Sequence, residues 1–241
     1  MELKTEAVVL QTVDYKDNDK ILTLFSPTHG KLTAGIRGVK KPTAKLAFSA
    51  QPFCFAEYVL AEKGGRYTVT GAYLHESFFS LRYDIVRFYA ACAAAEVCKT
   101  ILPENEAYEG LFIGFIECLK ALSLAEEDAG EALVSFMLIA LHESGYPLDL
   151  GYFEECDGDI GERLWFDFAD GRFTTFDRCT QGERASVSTY HTLRKCAGLS
   201  YSETALSGGT KRALRLLKAF LSEKTESKFD NLSEFIRLYE D

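Results

Sequence analysis

The spacing of apolar residues along this chain changes once, near Leu81, and that change limits the fold more than any motif does. Before it, apolar residues fall in short β-branched runs separated by turn residues; after it, they recur every three or four positions. Val8 to Val13 is one such run and Lys20 to Phe25 the next, with the charged, turn-like Asp14 to Asp19 between them. Ser26-Pro27-Thr28-His29-Gly30 then reverses the chain, because proline presets one torsion and glycine admits a positive φ. Leu32 to Ile36 reads as the returning strand. A loop follows around Gly38 to Thr43, then a long strand from Pro52 to Ala61, a Gly64-Gly65 hairpin signal and a partner strand from Tyr67. Five strands in so short a span predict a small closed or partly open barrel.

From Tyr83 to Leu102, the residues Ile85, Phe88, Tyr89, Cys92, Ala95 and Leu102 keep helical spacing, and Pro103 stops the helix. A second helix is expected from about Ala107 to Leu122 and a third from about Asp128 to Ser144, closed by Gly145 and Pro147. Between Asp149 and Arg184 the chain turns Gly- and Asp-rich, with short aromatic strands around Trp165-Phe166-Asp167-Phe168 and Arg172-Phe173-Thr174, which predicts an inserted hairpin. Helices return after Ser186 or Ser188 as cap, again from Thr210 to about Ser222, and from Leu232 to Tyr239. The expected class is α+β: a five-stranded OB-fold barrel over residues 1–80, then a mainly helical domain over 81–241 with a small β insert at 149–184.

Charge is distributed unevenly over these parts. The first 80 residues carry 10 Lys and Arg against 8 Asp and Glu, while the remainder carries 17 against 28, for a net −9. An acidic total argues against nucleic acid. Screening, however, limits exposed charges to a reach of about 8–10 Å, so a local cluster binds independently of a distant acidic body. Such a cluster lies between Lys31 and Lys45, where Lys31, Arg37, Lys40, Lys41 and Lys45 occur without one acid; on charge alone it reads either as a solvated loop with ordinary lysines or as a strip for a nucleic-acid backbone. Gly35 and Gly38 would let backbone approach phosphate, Arg66 flanks from the hairpin tip, and Phe48, Phe53, Phe55 and Tyr58 follow as flat faces for bases. A second cationic set, Lys211, Arg215 and Lys218, shares one helix face opposite Leu214, Leu217 and Leu221. It reads either as a solvated face or as a further contact for phosphate or an acidic partner peptide.

Several classes are excluded or disfavoured. An apolar share of 47% rules out wholesale disorder. No apolar run is long enough for a membrane span, and the opening MELKTEAVVL is unlike a signal peptide, so a cytoplasmic protein is expected. Seven cysteines, with Cys92, Cys98 and Cys118 inside apolar helical patterns, are expected to stay unpaired and to pack as small hydrophobes. No phosphate-loop, zinc-protease or nucleophile-elbow motif occurs; Gly208-Gly209-Thr210-Lys211 reads as a helix entry. His29, His75, His142 and His191 are scattered, and Asp14, Asp17 and Asp19 lack the glycine and glutamate of a calcium loop.

The order of several short motifs resembles the bacterial recombination mediator RecO family over most of the chain. They are A-V-V-L, Y-K-D-N-D-K-I-L-T-L-F-S and G-K near the start, then R-G-V-K-K, Q-P-F and L-R-Y-D-I-V-R-F-Y-A, and finally R-A-L-R-L-L-K-A-F-L with S-K-F-D-N-L. The resemblance implies an OB domain that binds single- and double-stranded DNA, strand annealing, RecR and the acidic tail of single-stranded-DNA-binding protein as partners, and help in loading RecA onto DNA near the nucleoid. It also implies a zinc module of two Cys-x-x-Cys pairs. Here the matching stretches read Phe153-Glu154-Glu155-Cys156 and Phe176-Asp177-Arg178-Cys179, so one thiol of each pair is phenylalanine. Zinc is therefore not expected, because a structural site needs four ligands and His191 and Cys196 are oddly spaced to complete one. Packing of Phe153 and Phe176 with Trp165 is expected in its place. Two rival readings are a protein-interaction module whose barrel no longer binds nucleic acid, and an enzyme using Asp157, Asp159 and Asp167.

Overall fold

A computed structural model describes residues 2–104, 106–151 and 164–240. Five strands, β1 (Glu2–Tyr15), β2 (Asp19–Ser26), β3 (Gly30–Ile36), β4 (Phe55–Lys63) and β5 (Arg66–Glu76), close into a barrel in the order β1-β2-β3-β5-β4. β1 pairs with both β2 and β4, and the parallel pairing of Ala34 with Tyr67 and Gly35 with Thr68 joins β3 to β5. Alternation decides what lies inside: Leu22, Leu24, Leu32, Ala34, Tyr58 and Leu60 are at most 2% exposed and fill the barrel. β1 serves two cores, since Ala7 and Val9 point into the barrel while Val8 and Leu10 join the helical core. A bulge between Val9 and Gln11 then re-aims the end of the strand.

The predicted turns carry the expected torsions. Gly64 and Gly65 both have positive φ, +59° and +72°, as a two-residue hairpin requires. Gly30 has φ +61°, and a Cβ there would lie 2.0 Å from the Glu106 carbonyl oxygen. The turn therefore needs glycine for its torsion and for the chain that crosses it.

The helical part consists of α1 (Ile85–Ile101), α2 (Glu109–Ser123), α3 (Ala129–Glu143), α4 (Val187–Cys196), α5 (Gly209–Thr225) and α6 (Asp230–Leu238). Asp84, Asp128 and Ser186 accept backbone N–H bonds at the starts of α1, α3 and α4, so Ser186 rather than Ser188 is the cap. α6 is capped from elsewhere: the Glu96 carboxylate accepts from the backbone N–H groups of Asp230, Asn231 and Leu232. Arg87 closes the other kind of end, donating to the carbonyls of Leu122, Leu124, Ala125 and Glu127 after α2. Barrel and helices meet through edge-to-face rings, Phe25 on Phe112 at 5.3 Å and Phe53 on Phe88 at 5.7 Å.

The β insert is a three-stranded sheet, β6 (Leu164–Asp167), β7 (Arg172–Thr175) and β8 (Gly182–Arg184), in the order β7-β6-β8. The third strand goes beyond the predicted hairpin. Phe166 anchors this sheet, with Phe173 at 5.1 Å and Phe220 of α5 at 5.5 Å. Phe176 packs against Trp165 at 5.0 Å with the rings tilted and stays 67% exposed, while the buried aromatic contacts of this sheet are those of Phe166.

Candidate nucleic-acid interface

Strand geometry divides the predicted basic strip. Lys31, Thr33, Gly35 and Arg37 alternate outward along and just beyond β3, and a rise of about 3.3 Å per residue separates Lys31 from Arg37 by about 20 Å. Lys31 lies at the helical end, where its Nζ donates to the Lys99 carbonyl near the C-terminus of α1, at 3.3 Å. This bond ties barrel to helix. Lys40 is also committed: its Nζ lies 2.7 Å from Asp14 Oδ2, and Lys20 approaches the same carboxylate at 3.5 Å. The hydrogen bond from Lys40 holds the Asp14 carboxyl below the ordinary carboxylate range. The strip contains no acid in sequence, but the β1–β2 pairing brings one to it.

The loop after β3 is pinned by backbone. Gly38 N–H donates to Asp19 Oδ1 at 2.8 Å and Lys40 N–H to the Asn18 carbonyl at 3.1 Å. Gly38 N–H is thus already used within the fold, and the expected approach of this glycine to phosphate gives way to a structural role. Asp14 and Asp19, from the stretch that is turn-like in sequence, hold the loop and one of its lysines. The pinned loop presents Arg37, Lys41 and Lys45, all exposed and with no ion pair among the described residues.

The aromatic residues following the strip do not face solvent. Tyr58 is fully buried and donates its hydroxyl to the Ser49 carbonyl at 2.7 Å. Phe53 is 1% exposed against Phe88, Phe55 packs on Phe112, and Phe48 leans on the barrel core. A different platform stands beside the loop. After the bulge, Gln11, Val13 and Tyr15 point outward, with Val13 51% and Tyr15 48% exposed. The ladder sets Val13 beside Ile21, Ile21 beside Gly35 and Gly35 beside Thr68. Continued by one residue, the β3–β5 register places the exposed Arg66 beside Thr33, on the flank of this wall. Lys16 Nζ lies 5.2 Å from the Tyr15 ring centroid. The signal for Tyr15 in sequence was alternation, Gln11-x-Val13-x-Tyr15, on the face opposite Thr12 and Asp14.

The remaining candidates separate as well. On α5, Leu214, Leu217 and Leu221 are fully buried as expected, whereas Lys211 Nζ donates to the Tyr239 carbonyl at 2.6 Å and Lys218 is half-buried. Arg215 alone of the three is exposed, in a cleft toward α4. Gly208 is the cap of α5 at φ +65°, a helix entry. Each histidine has a local neighbour: His29 Nδ1 lies 2.8 Å from Thr28 Oγ1, His75 3.4 Å from Glu6, His142 3.6 Å from Glu143, and His191 Nδ1 accepts from Ser202 N–H.

Asp167, 1% exposed, accepts from the backbone of Thr180 and Ala169 and from the Thr180 hydroxyl. Burial pushes its carboxyl up, but those bonds outweigh it and leave the group below its ordinary range. This carboxylate staples two turns. Phe153, Cys156, Asp157 and Asp159 lie outside the described residues. Cys179 sits beside Asp167, while His191 and Cys196, five apart on α4, diverge by about 140°. Among the described residues no three His, Cys, Asp or Glu side chains gather as metal ligands do. Burial raises the thiols of Cys92 to about 11 and Cys118 to about 12, and raises that of Cys98, which fits packing rather than reactivity. No helix among the described residues is long and apolar enough to cross a membrane.

Comparison with known proteins completes the picture. Residues 1–78 match the family model described as Recombination protein O N terminal, and residues 82–233 match Recombination protein O C terminal. Three bacterial proteins, each named DNA repair protein RecO, are similar along the chain. That of Acetivibrio thermocellus is 24% identical over 98% of this chain and 90% of its own length. That of Desulforamulus reducens is 28% identical over 98% and 94%. The Myxococcus xanthus protein is 30% identical over 69% of this chain and 68% of its own.

Proposed function

The chain belongs to the recombination protein O family, and on that premise we propose that it is a non-enzymatic mediator of recombinational DNA repair, which binds DNA on the barrel wall and anneals complementary strands. The observation that carries this reading is the exposed Val13–Tyr15 platform flanked by cations with no ion pair among the described residues, Arg37, Lys41 and Lys45 on the loop and Arg66 on the hairpin. Phosphates would lie on the cations and bases on Tyr15, as at other single-strand sites where stacking tolerates any sequence. A strand whose phosphates are neutralised repels its complement less, so pairing is promoted without hydrolysis of a nucleotide.

The other expected properties accompany this reading. Double-stranded DNA binds through the same cations. RecR, the single-stranded-DNA-binding protein tail and RecA are the partners, and the protein works in the cytoplasm at the nucleoid. No zinc takes part, because Phe176 occupies a ligand position and packs against Trp165.

The commitment of Lys31 to Lys99 and of Lys40 to Asp14 favours a second reading, a barrel that serves only protein contacts. Annealing of two labelled complementary oligonucleotides, bare and coated with single-stranded-DNA-binding protein, separates the two. Acceleration by the native chain that is lost in Arg37→Ala/Lys41→Ala supports the mediator. No acceleration and no oligonucleotide shift at low salt leaves the second reading standing.

A further inference from the structure

We propose that the helical part carries a second strand-binding site, an arginine cleft between α4 and α5 that takes the phosphodiester backbone of single-stranded DNA. The cleft has a volume of about 430 Å³. Arg184 enters it from β8, and Arg212 and Arg215, three apart on α5, enter from the other side; all three are exposed. Arg212 Nη1 donates to Ser188 Oγ at 2.9 Å, which fixes its plane and leaves its other N–H groups for a ligand. Arg184 and Arg215 have no side-chain partner among the described residues. Glu183 is the one carboxylate on the wall, and it forms no ion pair with any of the three among the described residues.

Three guanidinium groups against the single carboxylate of Glu183 stand out in residues 81–241, where acids outnumber bases 28 to 17. What faces the cleft also bears on the ligand. Its apolar residues, Ala185 and Leu216, are buried in the fold. The groups on offer are guanidinium forks, which suit paired phosphate oxygens; the Ser186 and Thr189 hydroxyls are used in capping α4. Guanidinium forks grip carboxylates as well as phosphates. The occupant is a phosphodiester chain because the reading it rests on is DNA binding, and an acidic peptide is the rival that oligoglutamate represents in the test.

α4, α5 and β8 are not barrel elements, so the cleft is distinct from the barrel wall. One chain then holds two strands at once, which deepens the annealing reading and rests on it. The test is the stoichiometry of labelled fifteen-residue oligothymidylate on the full chain at low salt, read by sedimentation. The native chain binds two strands; Arg212→Ala/Arg215→Ala binds one, and Arg37→Ala/Lys41→Ala binds one. Annealing falls at least tenfold in either double variant. Arg215→Ala alone, which removes no hydrogen bond of the fold, weakens the second strand with an unchanged melting curve.

Two strands still bound by the cleft variant overturns this site and leaves the barrel reading intact. One strand bound by the native chain and lost only in the cleft variant supports the cleft and overturns the barrel site. No strand bound at all overturns both. A decameric oligoglutamate that occupies the cleft while oligothymidylate does not also overturns the proposal.

Discussion

Replacing Asp14 by Asn should improve binding, because it releases a cation that the fold now holds. Lys40 Nζ lies 2.7 Å from Asp14 Oδ2, and the rest of the loop does not depend on that contact: Gly38 N–H is held by Asp19 and Lys40 N–H by the Asn18 carbonyl. The Asp14 side chain is 61% exposed, so the amide is accommodated without repacking. Four cations with no ion pair among the described residues, Arg37, Lys41, Lys45 and Arg66, give the barrel site a log–log salt slope near −2.8, at about −0.7 per phosphate contact on a single strand. A freed Lys40 makes a fifth contact and steepens the slope by about 0.7, and Lys20, released from the same carboxylate, adds at most about as much again. At 0.1 M salt one more released counterion is worth about fivefold in affinity. Fluorescence anisotropy of a labelled oligothymidylate across a salt series measures both quantities. An Asp14→Asn slope equal to or shallower than that of the native chain would refute the assignment of this loop to the phosphate path.

Tyr15→Ala removes the exposed ring and should cost about 1–3 kcal/mol of single-strand affinity while leaving the salt slope unchanged, because stacking releases no counterion. Arg87→Ala removes the guanidinium that donates to the carbonyls of Leu122, Leu124, Ala125 and Glu127 at the end of α2 and should lower stability by about 2–3 kcal/mol; for a chain of this size that is roughly 5–10 °C in a melting curve. Asp167→Asn tests the turn staple through pH. The folded carboxyl titrates below its unfolded value, so its contribution is present above about pH 4 and lost as pH falls through the folded pKa. The amide also points donors at the Thr180 N–H. The variant should therefore be less stable at pH 7 and show a flatter acid limb in denaturant titrations between about pH 5 and 2, and an unchanged limb would show that Asp167 is not the group responsible.

The barrel and the helices were legible because each rests on local rules. Val8 to Val13 and Leu32 to Ile36 alternate as half-buried strands must, Gly64-Gly65 meets the torsions of its hairpin, and Leu214, Leu217 and Leu221 keep the period of one helix face. Capping by Asp128 or Ser186 acts over three residues, within reach of a sequence reading. The short strand β8 was missed because three residues carry no period.

The amino-acid order thus determined the two-part architecture, the loop on which the cations sit, and the departure from a four-thiol zinc module. Which cations are free was decided only in three dimensions. Lys40 meets an acid 26 positions away and Lys31 a carbonyl 68 positions away, and Phe53 and Tyr58 are withdrawn into cores that distant segments complete. Arg184 joins Arg212 and Arg215 only because a sheet edge packs near two helix starts. Charge and aromaticity are properties of residues, but their availability depends on pairing and burial, and those are set by neighbours that the fold brings from far along the chain.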